Sequence, residues 1–423
     1  MKDVKKITLK NGLRVLLVPQ PANLAATVLI LVEAGSEYET KRLNGVSHFL
    51  EHLMFKGTTN RPKPGAIAHE LAALGAQSNA FTDQEYTGYW AKAQAEKLPK
   101  ILDIISDLYL NPIFNAEEIE KERGVIIQEI NMYEDDLPAK AQRIFNALMY
   151  GDQPAGWDVG GEKEIINKLR RNDFVSYRHA RYVMPGTIVV VAGKFNAKAV
   201  LAQIQKSFGA LPRQPVLAKK KTVERQSAPR VKVHFKKSDQ AHIVMGFRAF
   251  DIFDERRFIL RVLADVLGGG MSSRLFMRVR EELGAAYYIS AGADTALDHG
   301  LLGISAGVDH TKTQIVIKAI LKECARLRDE LVPAKELQKS KDHMLGNLIL
   351  GLETSDDLAS FYGGQEIITK TIISPKALTE KIKRVTAEEV RAVARSVIKG
   401  KGLNLAIVGP YRKPETFKRI LTL

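Results

Sequence analysis

The chain has 423 residues, 45% apolar and 26% charged, with a formal charge of +15 and one cysteine, Cys324. That length calls for two or three domains, and the composition excludes wholesale disorder and a disulfide-stapled miniprotein. No apolar run reaches the roughly 18 to 20 residues of a membrane-spanning helix, so no membrane partner is expected.

In chain order, the opening MKDVKKITLKNGLRVLLVPQ alternates apolar and polar residues after its early lysines. It reads as a strand, with neither the apolar core nor the cleavage site of a signal peptide. A lone cysteine cannot close an internal disulfide, which fits a reducing compartment, so a cytoplasmic protein is expected. Strands are expected at Ile7–Val18 and Ala25–Glu33, then helices at Gly45–Phe55 and Ala66–Leu74, the latter begun by Pro64. Strands Gln77–Thr82 and Tyr86–Ala93 follow, then helices at Ala95–Leu110 and from Ala116 onward. A helix near Asp173–Tyr182, a strand at Thr187–Ala192 and a helix ending at Phe208 close the half.

The second half repeats this order. Strands Val231–Phe235 and Ala241–Phe247 precede helices Glu255–Leu267 and Ser272–Glu282. Strands Ala286–Asp294 and Leu301–Val308 come next, then three or four helices to Ile398 and a last strand, Leu403–Val408. The endings TIVVVAGKFN and NLAIVGPYRK match in type and position. Residues 209–230 are rich in Pro, Lys and Gln and read as a linker. The expected fold is α+β: two homologous domains, 1–208 and 231–423, each a mainly antiparallel sheet covered by helices.

Charge is uneven, with 26 basic against 24 acidic residues up to position 210 and 37 against 24 beyond it. A basic half admits a nucleic-acid-binding protein as an alternative, recognisable by salt-sensitive duplex binding. There is no RNP-like aromatic pattern, no zinc-finger spacing and no basic run beyond Lys219–Lys221, so no nucleic acid is expected.

The chemistry concentrates in GVSHFLEHLMFKG. His48 and His52 are four apart, about 40° on a helix, so both imidazoles can grip one Zn²⁺. Glu51 can reach the open metal position without being a ligand, the H-x-x-E-H order of inverzincins. A third ligand is needed, and ERGVIIQEINMYEDDLP offers Glu122 and Glu129, seven apart on one helix face. Gly124 between them would let two helices approach closely. In LGGGMSSRLFMRVREELGAAYY, Gly268–Gly270 lacks the G-K-[ST] of a phosphate loop and reads as a helix connection. Arg280 falls in the last turn of the following helix, Gly284 stops it, and Tyr287 starts the next strand.

With HFLEHLMFKGT, SNAFTDQEYT and the later glutamate motif in register, nearly the whole chain resembles the pitrilysin, insulysin and mitochondrial processing peptidase family. The resemblance implies a metalloendopeptidase holding one Zn²⁺ per chain on His48, His52 and Glu129. Glu51 would be the general base and Glu122 a supporting acid. Ser78, Asn79, Ala80, Phe81 and Thr82 would form a sheet edge that takes peptide substrates as an added strand. Arg280 and Tyr287 would bind substrate backbone and stabilise the oxyanion. The second half has no H-x-x-E-H, and the chain has half the length of the four-domain members that enclose their substrate. A clamshell-type homodimer is therefore expected, each zinc site receiving Arg280 and Tyr287 from the partner. A non-catalytic scaffold of the same fold is the alternative, against which the intact His48, Glu51, His52 and Glu129 argue.

Overall fold

The computed structural model describes residues 4–422 and holds two sheets. The first is built from β1 (Lys5–Thr8), β2 (Arg14–Pro19), β3 (Ala25–Val32), β4 (Gln77–Thr82), β5 (Thr87–Gln94) and β6 (Thr187–Gly193), in the order β1-β2-β6-β3-β5-β4. The second is built from β7 (Arg230–Phe235), β8 (Gln240–Arg248), β9 (Ala286–Thr295), β10 (Gly300–Asp309) and β11 (Leu403–Gly409), in the order β7-β11-β8-β10-β9. Without β1 the two orders are the same. Each sheet has one parallel pair, β2 with β6 and β7 with β11, and is otherwise antiparallel. Even a detail of the rims repeats. On edge strand β4 the Phe81 ring covers its cross-strand partner Gly88, and on edge strand β9 the Tyr288 ring covers Gly307. A glycine opposite leaves each ring its place.

The single strand expected at Ile7–Val18 is two, an antiparallel hairpin of β1 and β2 turned at Asn11-Gly12, where Gly12 has φ +96°. Asn-Gly between apolar runs is the short-range signal for such a turn. Five helices, not three or four, lie between Thr313 and Val397.

Four helices matter most here: α1 (Val46–Met54), α2 (Ala116–Asp135), α3 (Leu137–Tyr150) and α4 (Ser355–Thr369). Successive strand residues face opposite sides of a sheet. In the first sheet, Val15, Leu17, Val28 and Ile30 pack with Phe49, Leu50 and Leu53 of α1. The alternate set, Leu16, Val18, Leu29, Leu31 and Val190, packs under Leu358, Ala359, Tyr362 and Ile367 of α4. In the second sheet, Ile243, Met245 and Leu405 join a core with Leu260 and Leu263, while Val244, Ala406 and Val408 pack under Ala141, Phe145 and Met149 of α3. Each sheet is thus closed on one face by a helix from the other half of the sequence. Accordingly one compact unit comprises the chain up to Ile130, Trp157–Lys220 and Leu350–Ile372. The other comprises Asn131–Gly156, Lys221–Ile349 and the chain from Ile373 on. Central strands β6 and β11 are buried along their whole length.

Residues 209–229 form neither helix nor strand. Within the first unit, the Lys219 side chain is nonetheless buried there, in ion pairs with Glu37 and Glu85. Among the described residues no helix is long and apolar enough to cross a membrane. Cys324 is buried in the core of the second unit.

Candidate active site

Helix α1 buries Val46, Phe49, Leu50, Leu53 and Met54, an i, i+3, i+4, i+7, i+8 stripe. His48, Glu51 and His52 are left on the other face. The helix begins at Gly45, which has φ +90°; a Cβ there would come within 2.8 Å of the Gly160 carbonyl. No side chain of its own caps this end. Glu39 does so from upstream: one oxygen accepts the Ser47 N–H (2.8 Å), the other the Gly45 N–H (2.7 Å) and Asn44 Nδ2 (3.1 Å). Two of the four orphan N–H groups of the first turn are met this way. Burial raises the Glu39 carboxyl to about 7 although those donors pull it down.

The rings of His48 and His52 meet edge to face, centroids 4.8 Å apart. Glu129, on α2, brings Oε2 to 3.5 Å from His48 Nε2 and 3.6 Å from His52 Nε2. One donor atom from each of the three residues lies within 4.8 Å of the others. Two atoms each about 2.0–2.1 Å from a tetrahedral zinc ion sit about 3.3–3.4 Å apart, so this donor set fits zinc. Burial, and then the neighbouring His52, lower the His48 imidazole to about 4, which keeps it neutral as a ligand must be. Its Nδ1 is buried with no hydrogen-bond partner.

Glu51 is not one of the three. Its Oε2 accepts from Thr82 Oγ1 at 2.6 Å. Burial raises the Glu51 carboxyl; Thr82 and His52 oppose this and the Glu129 charge adds to it. Glu122 meets the far side of His52, Oε2 to Nδ1 at 3.1 Å, and its other oxygen pairs with Lys56 Nζ at 2.5 Å. His48, Glu51, His52, Glu122, Glu129 and Thr82 therefore converge on one place. Gly124 does not serve close helix approach, because nothing lies within 4 Å of where its Cβ would be. The seven-residue repeat of Glu122 and Glu129 puts both on the α1 side, and Gly124 faces solvent.

Strand β4 is the rim of its sheet and pairs only with β5 among the described strands. Ser78 and Asn79 are exposed, Ala80 is buried, Phe81 packs over Gly88, and Thr82 reaches Glu51. The rim strand therefore ends at the Glu51 carboxylate.

Arg280 and Tyr287 belong to the second unit. The helix expected over Ser272–Glu282 is a π-helical turn over Phe276–Glu282, where Arg280 lies 4.9 Å over the Phe276 ring. Gly284 follows with φ +53°, and Tyr287, on rim strand β9, is 67% exposed.

The sequence reading passed over Lys56 and Glu39. Lys56 carried a signal, a cation four residues after His52 on the same face. Glu39 carried none, because it acts through a loop.

The family model described as "Insulinase (Peptidase family M16)" matches residues 14–161, and "Peptidase M16 inactive domain" matches residues 168–344. A Streptomyces coelicolor protein named an uncharacterized zinc protease is 34% identical over 97% of this chain and 90% of its own length. The Bacillus subtilis protein YmxG, also named an uncharacterized zinc protease, is 31% identical over 96% of this chain and 98% of its own. The crystal structure of a Helicobacter pylori protease has the same fold, with a TM-score of 0.90 over 96% of this chain and all of that one, at 23% identity. The chain belongs to peptidase family M16, in its short two-domain form.

Proposed function

We propose that the chain is a zinc-dependent endopeptidase that hydrolyses unfolded peptides or short protein segments, holding one zinc ion on His48, His52 and Glu129. The observation that carries this is the meeting of those three donors within 4.8 Å beside a fourth residue, Glu51, that is not among them. Zinc supplies Lewis acidity, lowering the pKa of a water to about 7 and polarising a carbonyl. Glu51 takes the proton of the attacking water and hands it to the leaving amine nitrogen, and the hydrogen bond from Thr82 supports this by orienting its carboxylate. Glu122 orients His52.

The exposed rim of β4 supports a substrate bound as an added strand, held by main-chain hydrogen bonds that tolerate varied sequence. An extended peptide there runs past Thr82, and so past Glu51. Arg280 and Tyr287, exposed in the second unit, serve as the donors for substrate backbone and oxyanion. The working form is a homodimer enclosing a chamber, clamshell-fashion, with the pair supplied to each zinc site by the partner; the presence of both residue sets in one chain supports this.

The test is cleavage of a long internally quenched peptide by zinc-loaded protein. Activity should vanish on chelation and return with added zinc. Undiminished cleavage by metal-free protein would overturn the proposal.

A further inference from the structure

The two imidazoles of α1 are anchored differently. His48 Nδ1 is buried without a partner, so no hydrogen bond on that side orients its ring. His52 Nδ1 has Glu122 Oε2 at 3.1 Å. An ionised carboxylate only accepts, so Nδ1 of His52 carries the proton. Its lone pair is then at Nε2, the nitrogen 3.6 Å from Glu129.

Glu122 itself is held. Its side chain is 8% exposed, and a carboxylate so buried requires a paired cation. Lys56 is that cation, at 2.5 Å. The backbone fixes where Lys56 stands: its N–H donates to the Leu53 carbonyl at 3.1 Å, closing the turn after α1. Just beyond, Asp107 accepts from Thr58, Asn60 and Arg61 at 2.6, 2.7 and 2.7 Å. The Lys56 backbone is thereby fixed four residues after His52, from where its ammonium reaches Glu122.

We infer that Lys56 is a positioning residue of the metal centre: through Glu122 it fixes the ring and tautomer of His52, and so sets zinc affinity without touching ion or substrate. This rests on the zinc reading above. Neither Lys56 nor its pairing is needed for the proton transfers assigned to Glu51.

The experiment is zinc affinity, measured by competition with a chromophoric chelator, for the wild type, Lys56→Met, Lys56→Arg, Glu122→Gln and the double variant Lys56→Met/Glu122→Gln. Lys56→Met should weaken zinc binding about 10- to 100-fold, the range for partners that orient a ligand, and Lys56→Arg should recover most of it. The double variant should bind no more weakly than Glu122→Gln alone, because Lys56 then has no charge left to hold. Affinity in Lys56→Met within about threefold of wild type, or additive losses in the double variant, would overturn the inference. A wild type that binds no zinc would instead overturn the zinc reading, and this with it. Circular dichroism of each metal-free chain guards against unfolding; should Lys56→Met fail to fold, Lys56→Gln stands in its place under the same criteria.

Discussion

Asp107 governs the chain that leaves the zinc-motif helix. Burial raises its carboxyl, and hydrogen bonds from Thr58, Asn111, Arg61 and Asn60 outweigh this and hold it below its ordinary value of 3.8. A lowered folded-state pKa means the unfolded chain binds the proton first as pH falls. The stabilisation is therefore complete above about pH 4 and is lost below it. Asp107→Asn should cost about 2 kcal/mol near neutral pH, the scale of hydrogen bonds to a charged group. Denaturant unfolding between pH 2.5 and 7, a range chosen to span roughly both forms, should show the two proteins converging below about pH 4. A difference that stays constant across that range would count against the assignment. At this scale spacing by itself is informative only where residues share an element; Glu129 and Thr82, on other elements, are reached through the family resemblance. His48, Glu51 and His52 are readable because the helical period alone puts them together. Lys56 falls within that same logic. Asp107 and Glu39 do not, since Asp107 grips a loop, and Glu39 a helix end, that only the folded chain brings to it.

At the scale of elements, periodicity locates the strands and most helices, and the repeated order exposes the duplication. It cannot say which sheet a helix covers. Helix α3 follows α2 by a single residue, Asp136, yet it closes the second sheet; α4 lies deep in the second half and closes the first. An amphipathic helix records that it has a partner, not who the partner is. Two residues of α4 carry the answer in hindsight. Gly363 faces Leu31, whose Cδ1 would lie 2.8 Å from any Cβ placed there. Glu366, fully buried, accepts from Arg14 Nη1 of β2 at 3.0 Å and from Lys6 Nζ of β1 at 2.9 Å. Both are long-range pairings, so nothing local marks them. The hairpin of β1 and β2 is the reverse case, since Asn11-Gly12 announces the turn within two residues.

For the whole molecule, the proposed homodimer with shared sites makes a prediction that a self-contained chain does not. Tyr287→Phe alone should lose about 100- to 1000-fold in kcat, the cost of one oxyanion donor. Glu51→Gln alone should be inactive. When the two are mixed in equal amounts and allowed to exchange subunits, half the dimers are mixed, and each holds one site with Glu51 and the partner's Tyr287 both intact. Activity should rise to about a quarter of wild type. A mixture no more active than the average of its components would show that each chain supplies its own Arg280 and Tyr287.

The proposed reaction is peptide cleavage with Glu51 as the proton carrier at a metal held by other residues. It is tested most directly by the rate of peptide cleavage in zinc-loaded Glu51→Gln, with zinc content measured on the same sample. The account predicts one zinc per chain retained and cleavage reduced by at least about four orders of magnitude, beyond the 10²–10⁴-fold span of general acid–base assistance alone because the same carboxylate serves both proton transfers. Cleavage close to the wild-type rate with zinc still bound would contradict it.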